Sequence, residues 1–409
     1  MLKKFYFILT FLLTAFLVSS QVVINEYSAS NFDSHLDNYG EYEDWVELYN
    51  TTNSDIDLNG WSLTDKPANL TKWSFTGSFI ISANSVAIIY CSGRDELVGG
   101  VAHTNFKITQ TKVGEVFVLS DASGNIIDSA RAIPAQKSHS RGRDVNGGSS
   151  WSVFTAATPN TSNTGAMLEY APVPIFSQSS GYYSAPFDLT LSCTDPNAIL
   201  YYTTDGSKPD NSANLYTGPF NISSTSVVKA VAYSTNGLVP PSFIDYHTFF
   251  INDTHTVPIL SVSGDSVAVL IEDGLQNIGS WWNGTPHEPQ GTIEWFDKNG
   301  VLIDKGTGEF NKHGNDSWAY DQRGFDYVMR DQFGYNHALQ DKVFDTKSRE
   351  KFQRVIVKAA ANDNYPAAFG SSGGHIRDAY IHHLSQLADL RLDERSTKSC
   401  ISVSYTHLR

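Results

Sequence analysis

The heptapeptide Asp44–Asn50, DWVELYN, decides the class of fold. In an extended chain Val46 and Leu48 point to one side, while Trp45, Glu47 and Tyr49 point to the other. The same period of two recurs outward from it in VVINEYSA (Val22–Ala29), VAIIY (Val86–Tyr90) and EVFVLSD (Glu115–Asp121), with turn residues between. No amphipathic helical stretch of useful length interrupts them. Residues 21–165 therefore read as an all-β sandwich.

Composition frames this reading. A chain of 409 residues holds two to four domains, and 41% hydrophobic with 12% aromatic residues excludes wholesale disorder. The net charge is −14 and no basic stripe is present, so nucleic acid is excluded as a partner class. Met1–Ser20 has Lys3 and Lys4, an apolar run from Phe5 to Val18, and small residues at Ser19 and Ser20. That is the pattern of a signal peptide, with a retained membrane anchor as the competing reading. No other run reaches the eighteen or so apolar residues of a membrane helix, so no membrane span is expected after its removal. Cys91, Cys193 and Cys400 lie far apart and make no disulfide framework; Cys91 and Cys193 are expected to act as small buried apolar residues. No residues have metal-ligand spacing, and His382 and His383 cannot both face one ion.

Within residues 21–165, INE (Ile24–Glu26), Asp44–Asn50, LNGWSLTD (Leu58–Asp65), WSF (Trp73–Phe75), SRGRD (Ser140–Asp144), Trp151 and ATPN (Ala157–Asn160) are the informative motifs. Together they resemble the lamin-tail domain, an immunoglobulin-like module. The resemblance implies a non-catalytic companion of an enzyme or a surface protein. Asp33, Asp37, Glu41, Glu43, Asp44 and Glu47 offer oxygen ligands for calcium, but their spacing lacks the alternation of a dedicated loop. The favoured reading is a solvated acidic face with Glu47 packed beside Trp45.

A polar linker, TPNTSNTGAM (Thr158–Met167), leads to a second domain over residues 171–252. ILYYTTDGSKPD (Ile199–Asp210) contains a strand and a tight turn at Asp205–Gly206, and VVKAVAYS (Val227–Ser234) supplies a further strand. With YTGPF (Tyr216–Phe220) these residues resemble the chitobiase/β-hexosaminidase C-terminal-type domain, which implies a spacer or a glycan-docking module. Tyr201, Tyr202 and Tyr216 are the candidates for stacking on sugar rings. Tyr201 and Tyr202 face opposite ways in a strand, so at least one belongs to the core.

The third region contains Gly308–Gly334, GEFNKHGNDSWAYDQRGFDYVMRDQFG, which crowds glycines, a hydroxyl, amides and cations together. Gly314–Ser317 reads as a tight turn, and Arg323 and Arg330 follow at a spacing that suits two extended strands. A backbone nest with arginine forks holds a phosphate; the bland alternative is a hairpin turn with solvated arginines. The flanks are VPILSVSG (Val257–Gly264), PQGTIEWFDKNG (Pro289–Gly300), FQRVIVKAAANDNYP (Phe352–Pro366) and HIRDAYIHHLSQLADL (His375–Leu390). In this order the blocks resemble the N-terminal part of the CotH kinase family, secreted or surface-attached kinase-like proteins named after a spore coat protein, over residues 256–402.

That resemblance implies ATP and Mg²⁺ as cofactors of the complete domain, with Gly314, Asn315, Ser317 and Arg323 as nucleotide contacts. No catalytic residue is assigned. The family commonly has Lys where Arg323 stands, and a planar fork is not a point charge. A helix is expected to open near Arg377, with Ile376, Ala379, Tyr380, His383, Leu384 and Leu387 at helical spacing; Arg377 and Asp378 serve either substrate binding or the helix dipole. VSYTHLR (Val403–Arg409) reads as translated sequencing-adapter sequence and the chain as a fragment, itself inactive. The expected fold is multidomain and mainly β: two immunoglobulin-like or fibronectin-like β-sandwiches followed by a truncated α+β kinase-like domain. The function implied is an exported, bacterial, secreted or cell-surface protein kinase acting on other exported or surface proteins. The alternative is an adhesion or matrix protein that binds a protein or glycan without catalysis.

Overall fold

The computed structural model describes residues 21–112, 115–265, 267, 290–313, 324–334, 336–340, 348–358, 377–388 and 401–404. The leader Met1–Ser20, the cradle Gly314–Arg323, Cys400 and Tyr405–Arg409 lie outside these residues. What is described is mainly β, arranged in several sheets, with one α-helix, Arg377–Leu387, and one 3-10 turn, Asp331–Phe333. None of its helices is long and apolar enough to cross a membrane.

In the first unit a seven-stranded sheet runs Trp151–Phe154, Ser140–Arg143, Val22–Ser28, Trp45–Asn50, Val86–Tyr90, Val101–His103, Glu96–Val98. A four-stranded sheet of Ile126–Arg131, Val116–Ser120, Ser62–Thr64 and Trp73–Ser74 accompanies it. The alternation read from DWVELYN holds: Val46 and Leu48 join the main core with Val22, Ile24, Phe75 and Phe117, whereas Trp45 packs with Ile88 and Tyr90 on the other face. That second face is also largely covered: Trp45 and Glu47 are both 0% exposed, and Tyr49 is half-buried. Cys91 is buried as expected, while Cys193 is half-buried with its thiol 3.3 Å from the Pro172 carbonyl oxygen.

The second unit is a five-stranded sheet, Gly181–Tyr183, Asp245–Ile251, Ser226–Ser234, Ala198–Thr203 and Asn214–Leu215, with two short ribbons. Val228, Ala230, Ala232, Leu200 and Phe249 fill its core. From the same strands, Val227 and Phe250 point outward and meet Ile259 and Phe296 of the third unit.

The third unit is a six-stranded sheet in the order Arg354–Val357, Phe325–Met329, Leu302–Lys312, Gln290–Phe296, Ile259–Ser263, Ile401–Ser404. Every pair is antiparallel except the last, in which Ile401–Ser404 runs parallel to Ile259–Ser263. The Ile259–Ser263 and Gln290–Phe296 strands are buried on two faces. Leu260, Val262, Ile293, Phe310, Tyr327 and Met329 form one core, while Ser261, Thr292, Glu294 and Phe296 turn toward the second unit. The Arg377–Leu387 helix starts where expected, but its apolar residues are not buried: Tyr380, Ile381, Leu384 and Leu387 are exposed, as is His383. The spacing was helical; the expected packing face is not covered by the described residues.

The expected linker is not free either. Thr158, Asn160 and Asn163 bond into the first sandwich, Met167 pairs with Val153 through two backbone hydrogen bonds, and Leu168 and Ala171 bond to Leu238 and Pro240 of the second. Polar composition here marks side chains chosen to satisfy buried groups, which composition cannot distinguish from solvated ones.

Glycines explain how the third sheet closes. Gly291 and Gly308 are cross-strand partners, and the fully buried Tyr327 ring lies against Gly308, its hydroxyl 3.1 Å from the carbonyl oxygens of both Gly291 and Gly306. A Cβ on Gly308 would collide with the backbone oxygen of Val328 and come within 2.9 Å of Tyr327. Glycine inside a strand marks such a close approach. Gly308→Ala should therefore destabilise the chain by about 2–3 kcal/mol. Denaturant unfolding checks this, and an unchanged midpoint would refute the seat for Tyr327.

Candidate functional site

The cradle residues Gly314, Asn315, Ser317 and Arg323 lie outside the described residues, but the strands on either side of them are paired. Lys312 sits opposite Phe325, so the segment joins two neighbouring antiparallel strands of the third sheet. Arg330, the expected second arm, is committed elsewhere: its Nε donates to Glu309 Oε2 at 2.8 Å. Arg330 is therefore neither a fully solvated side chain nor a free one: it is 37% exposed and paired with Glu309. Arg354 is likewise held by Asp326, its Nε 2.8 and 2.9 Å from the two carboxylate oxygens.

The acidic group of the first unit is only partly a solvated face: Asp33 and Glu41 are exposed, whereas Asp37 and Glu47 are buried. Asp37 accepts from the Tyr39 and Glu41 amides at 2.8 and 2.9 Å, Glu41 pairs with Arg94, Glu43 with Lys107, and Asp33 with Lys137 and Ser138. Asp44 accepts the Asn31 amide at 3.1 Å. Each carboxylate already has partners, and no three acidic, His or Cys side chains among the described residues are grouped to hold a metal ion. The spacing could not reveal these partners because the cations come from residues 94, 107 and 137.

Glu47 belongs to a different cluster, which no periodicity predicts. Asn25 Nδ2 donates to Glu47 Oε1 at 3.0 Å and the Asn160 amide to Oε2 at 2.7 Å. Beside it Glu26 accepts from Ser140 Oγ and from the Thr158 amide and hydroxyl. Burial pushes the Glu47 carboxyl up to about 8, opposed by the Asn25 bond and reinforced by Glu26; burial raises Glu26 as well. The motifs INE, DWVELYN, SRGRD and ATPN are thus parts of one buried polar network on the face of the sheet opposite the main core.

A second buried cluster lies between the second and third sheets. His247 Nδ1 is 2.9 Å from Ser180 Oγ, and His247 Nε2 is 3.4 Å from Asp245 Oδ2. By identity this is a Ser-His-Asp set. Its hydrogen bonds serve another purpose. The Ser180 amide donates to Nδ1 at 3.2 Å, and the Ser180 hydroxyl donates to Glu294 Oε1 at 2.6 Å, so its proton is directed to a buried carboxylate. Glu294 also accepts from Thr248, whose hydroxyl lies 2.8 Å from Ser261. Burial disfavours the charge on Asp245, but the His247 bond and the Lys305 ammonium outweigh it and hold that carboxyl well below the usual range. Burial raises Glu294. Lys229, 4% exposed and facing Asp265, Glu294 and Asp205, is lowered by burial to about 8. A nucleophile needs access and a base that takes its proton; this group ties two sheets together.

The three candidate sugar-stacking tyrosines are not assembled on one surface. Tyr202 stacks on Phe220 at 4.1 Å and, with Tyr216, packs against the core, whereas Tyr201 meets Tyr233 edge-on at 5.6 Å on the opposite face. An open cleft of about 510 Å³ lies instead between the first unit and the third, lined by Gln110, Lys112, Arg131, Ile133, Gly334 and Asn336.

The Glu47 cluster makes stability depend on pH. A carboxyl whose folded value lies near 8, above its ordinary 4.5, binds its proton more tightly when folded. Its contribution is complete below about 4.5 and is lost as the pH rises through about 8. Thermal melts from pH 5 to 8 should show a falling midpoint in the wild type and a shallower slope in Glu47→Gln, which keeps the acceptor for the Asn160 amide. Equal slopes would mean that Glu47 is ionised in both states.

Comparison with known families agrees with the first two units. Residues 178–242 match the Chitobiase/beta-hexosaminidase C-terminal domain, and no curated protein matches the chain. Residues 18–133 match the Lamin Tail Domain. The matched segment stops short of Ser140–Arg143 and Trp151–Phe154, which complete the same seven-stranded sheet. The N-terminal part of the chain is thus two β modules in series, the first similar to a lamin-tail domain and the second to a chitobiase/β-hexosaminidase C-terminal domain.

Proposed function

We propose that the chain belongs to an exported CotH-type protein kinase, secreted or held at a bacterial cell surface, that transfers phosphate from ATP to other exported or surface proteins. The two sandwiches are its non-catalytic frame. The observation that supports this reading is the pairing of Lys312 with Phe325 in adjacent antiparallel strands, because the chain between these two residues contains GNDSW. A glycine-containing connection in that position suits a phosphate, because backbone N–H groups at a turn converge on one anion. Gly314, Asn315 and Ser317 supply the donors and Arg323 the cation. ATP with Mg²⁺ supplies the phosphoryl group and the charge neutralisation; the residues that hold the metal are not assigned.

A second reading, adhesion without catalysis, is favoured by the commitment of Arg330 to Glu309 and of Arg354 to Asp326. Two of the region's arginines are thereby spent on structure. In this reading the sandwiches and third sheet bind a protein or glycan partner directly.

Calorimetric titration of ATP with Mg²⁺ into the protein expressed from its complete gene separates the two. The first reading expects binding, and a loss of about tenfold in Arg323→Ala, equivalent to about 1.4 kcal/mol. Arg330→Ala should leave nucleotide affinity nearly unchanged, because its partner is Glu309. No binding, or equal affinity in wild type and Arg323→Ala, selects adhesion.

A further inference from the structure

The contact between the first unit and the third is made around one carboxyl group. Asp331, in the 3-10 turn after the Phe325–Met329 strand, is 7% exposed. Its Oδ2 accepts the Gln110 amide at 2.9 Å, and Gln110 Nε2 reaches the Asp331 carbonyl oxygen. Gln110 is itself fixed inside the first unit, donating to Ala135 O at 2.9 Å and accepting the Ala135 amide at 2.8 Å. Ser30 Oγ lies 3.3 Å from Gln332 O, and the Phe32 and Phe333 rings pack 5.9 Å apart.

The charges facing Asp331 are mostly of its own sign. On the first unit these are Glu115, 2% exposed and paired with Lys112 at 3.1 Å, and Asp44, with Glu43 and Lys107 beyond it. On its own side Arg330 is held by Glu309, and burial keeps His337 toward its neutral form, with Lys351 and Lys112 adding to that. No cation pairs with Asp331 among the described residues.

We propose that this contact is a proton-operated dock, closed while the Asp331 carboxyl carries a proton and loosened when it ionises. The protonated acid keeps the Gln110 amide on one oxygen and carries its proton on the other, so the docked geometry survives. The carboxylate instead meets Glu115 and Asp44 with no paired cation among the described residues, at a position only 7% exposed.

The direction follows from linkage. In the docked chain the Asp331 carboxyl is raised from its ordinary 3.8 to about 6, by burial first and then by Glu115, against hydrogen bonds from the Gln110, Asp331 and Thr111 amides. The docked form therefore binds the extra proton. Docking is strongest below about 3.8, weakens as the pH rises through about 6, and changes little above that. A shift of this size corresponds to roughly a hundredfold change in the docking equilibrium. The cleft lined by Gln110, Lys112, Arg131 and Asn336 runs along the contact, so its width follows the same proton.

Amide hydrogen exchange on the whole chain tests this, read in the peptide Ile108–Lys112 between pH 4.5 and 7.5 after correction for the intrinsic rate. Val86–Tyr90, in the core sheet of the same unit, reports unfolding of that unit as a whole. The expected result is protection of Ile108–Lys112 that falls by a factor of ten to about a hundred beyond any fall at Val86–Tyr90. In Asp331→Asn the excess should vanish and protection should stay high across the range. Parallel slopes in the two wild-type peptides would overturn the proposal, and so would an undiminished excess in Asp331→Asn. The wild-type comparison decides even if the variant folds poorly.

Discussion

A carboxylate that water cannot reach must receive its donors from the chain, and three mid-strand glutamates impose this on the whole molecule. Glu26 and Glu47 are buried on the face of the first unit's seven-stranded sheet that turns away from its main core, bonded to Thr158 and Asn160, and Glu294 lies between the second and third sheets. Their donors are distant in sequence. Thr158 and Asn160 reach back more than a hundred residues to Glu26 and Glu47, and Ser180 reaches forward as far to Glu294. Removing water from both faces of a strand is favourable for Trp45, Ile293 and Phe296, but it is tolerated at the glutamates only because these donors arrive.

This constraint turns three β units into a coupled series. The segment after the first sandwich is held down because its amides and hydroxyls are needed at Glu26 and Glu47. The second sandwich meets the third sheet through Val227, Phe250, Ile259 and Phe296, and the Ser180–Glu294–Thr248 bonds and the Lys305–Asp245 pair lie among the same strands. Buried pairs of this kind add little net stability over apolar substitutes, but they fix register and orientation. Register matters at Lys312 and Phe325, since a slip by one residue would turn their strands over and move the segment they bracket.

Much of this was legible from residue order. The alternation in DWVELYN separated Val46 and Leu48 from Trp45, and the opposed directions of Tyr201 and Tyr202 placed one of them in a core. The helix near Arg377 followed from spacing. Other readings failed for a common reason. The acidic group from Asp33 to Glu47 was read as a solvated face although Asp37 and Glu47 are buried, Thr158–Met167 as a polar linker although it bonds into the first sandwich, and Arg330 as a phosphate or solvent group although it pairs with Glu309, because polar composition looks the same whether its partner is water or protein. Gly308 was read with an anion-binding pattern, and its visible role is to seat Tyr327.

What the sequence by itself determined is local: which stretches are strands, which side chains share a face, and where turns and the helix begin. These depend on the two- and 3.6-residue periods and on backbone sterics, which act between neighbours. Only the tertiary structure decided that Trp45 and Glu47 are as dry as Val46 and Leu48, that a Ser-His-Asp set is turned toward Glu294, and that Asp331 sits against Gln110 between two units. Those outcomes depend on groups separated by tens to hundreds of residues, and hydrogen-bond distance is a property of the folded chain that no local pattern encodes.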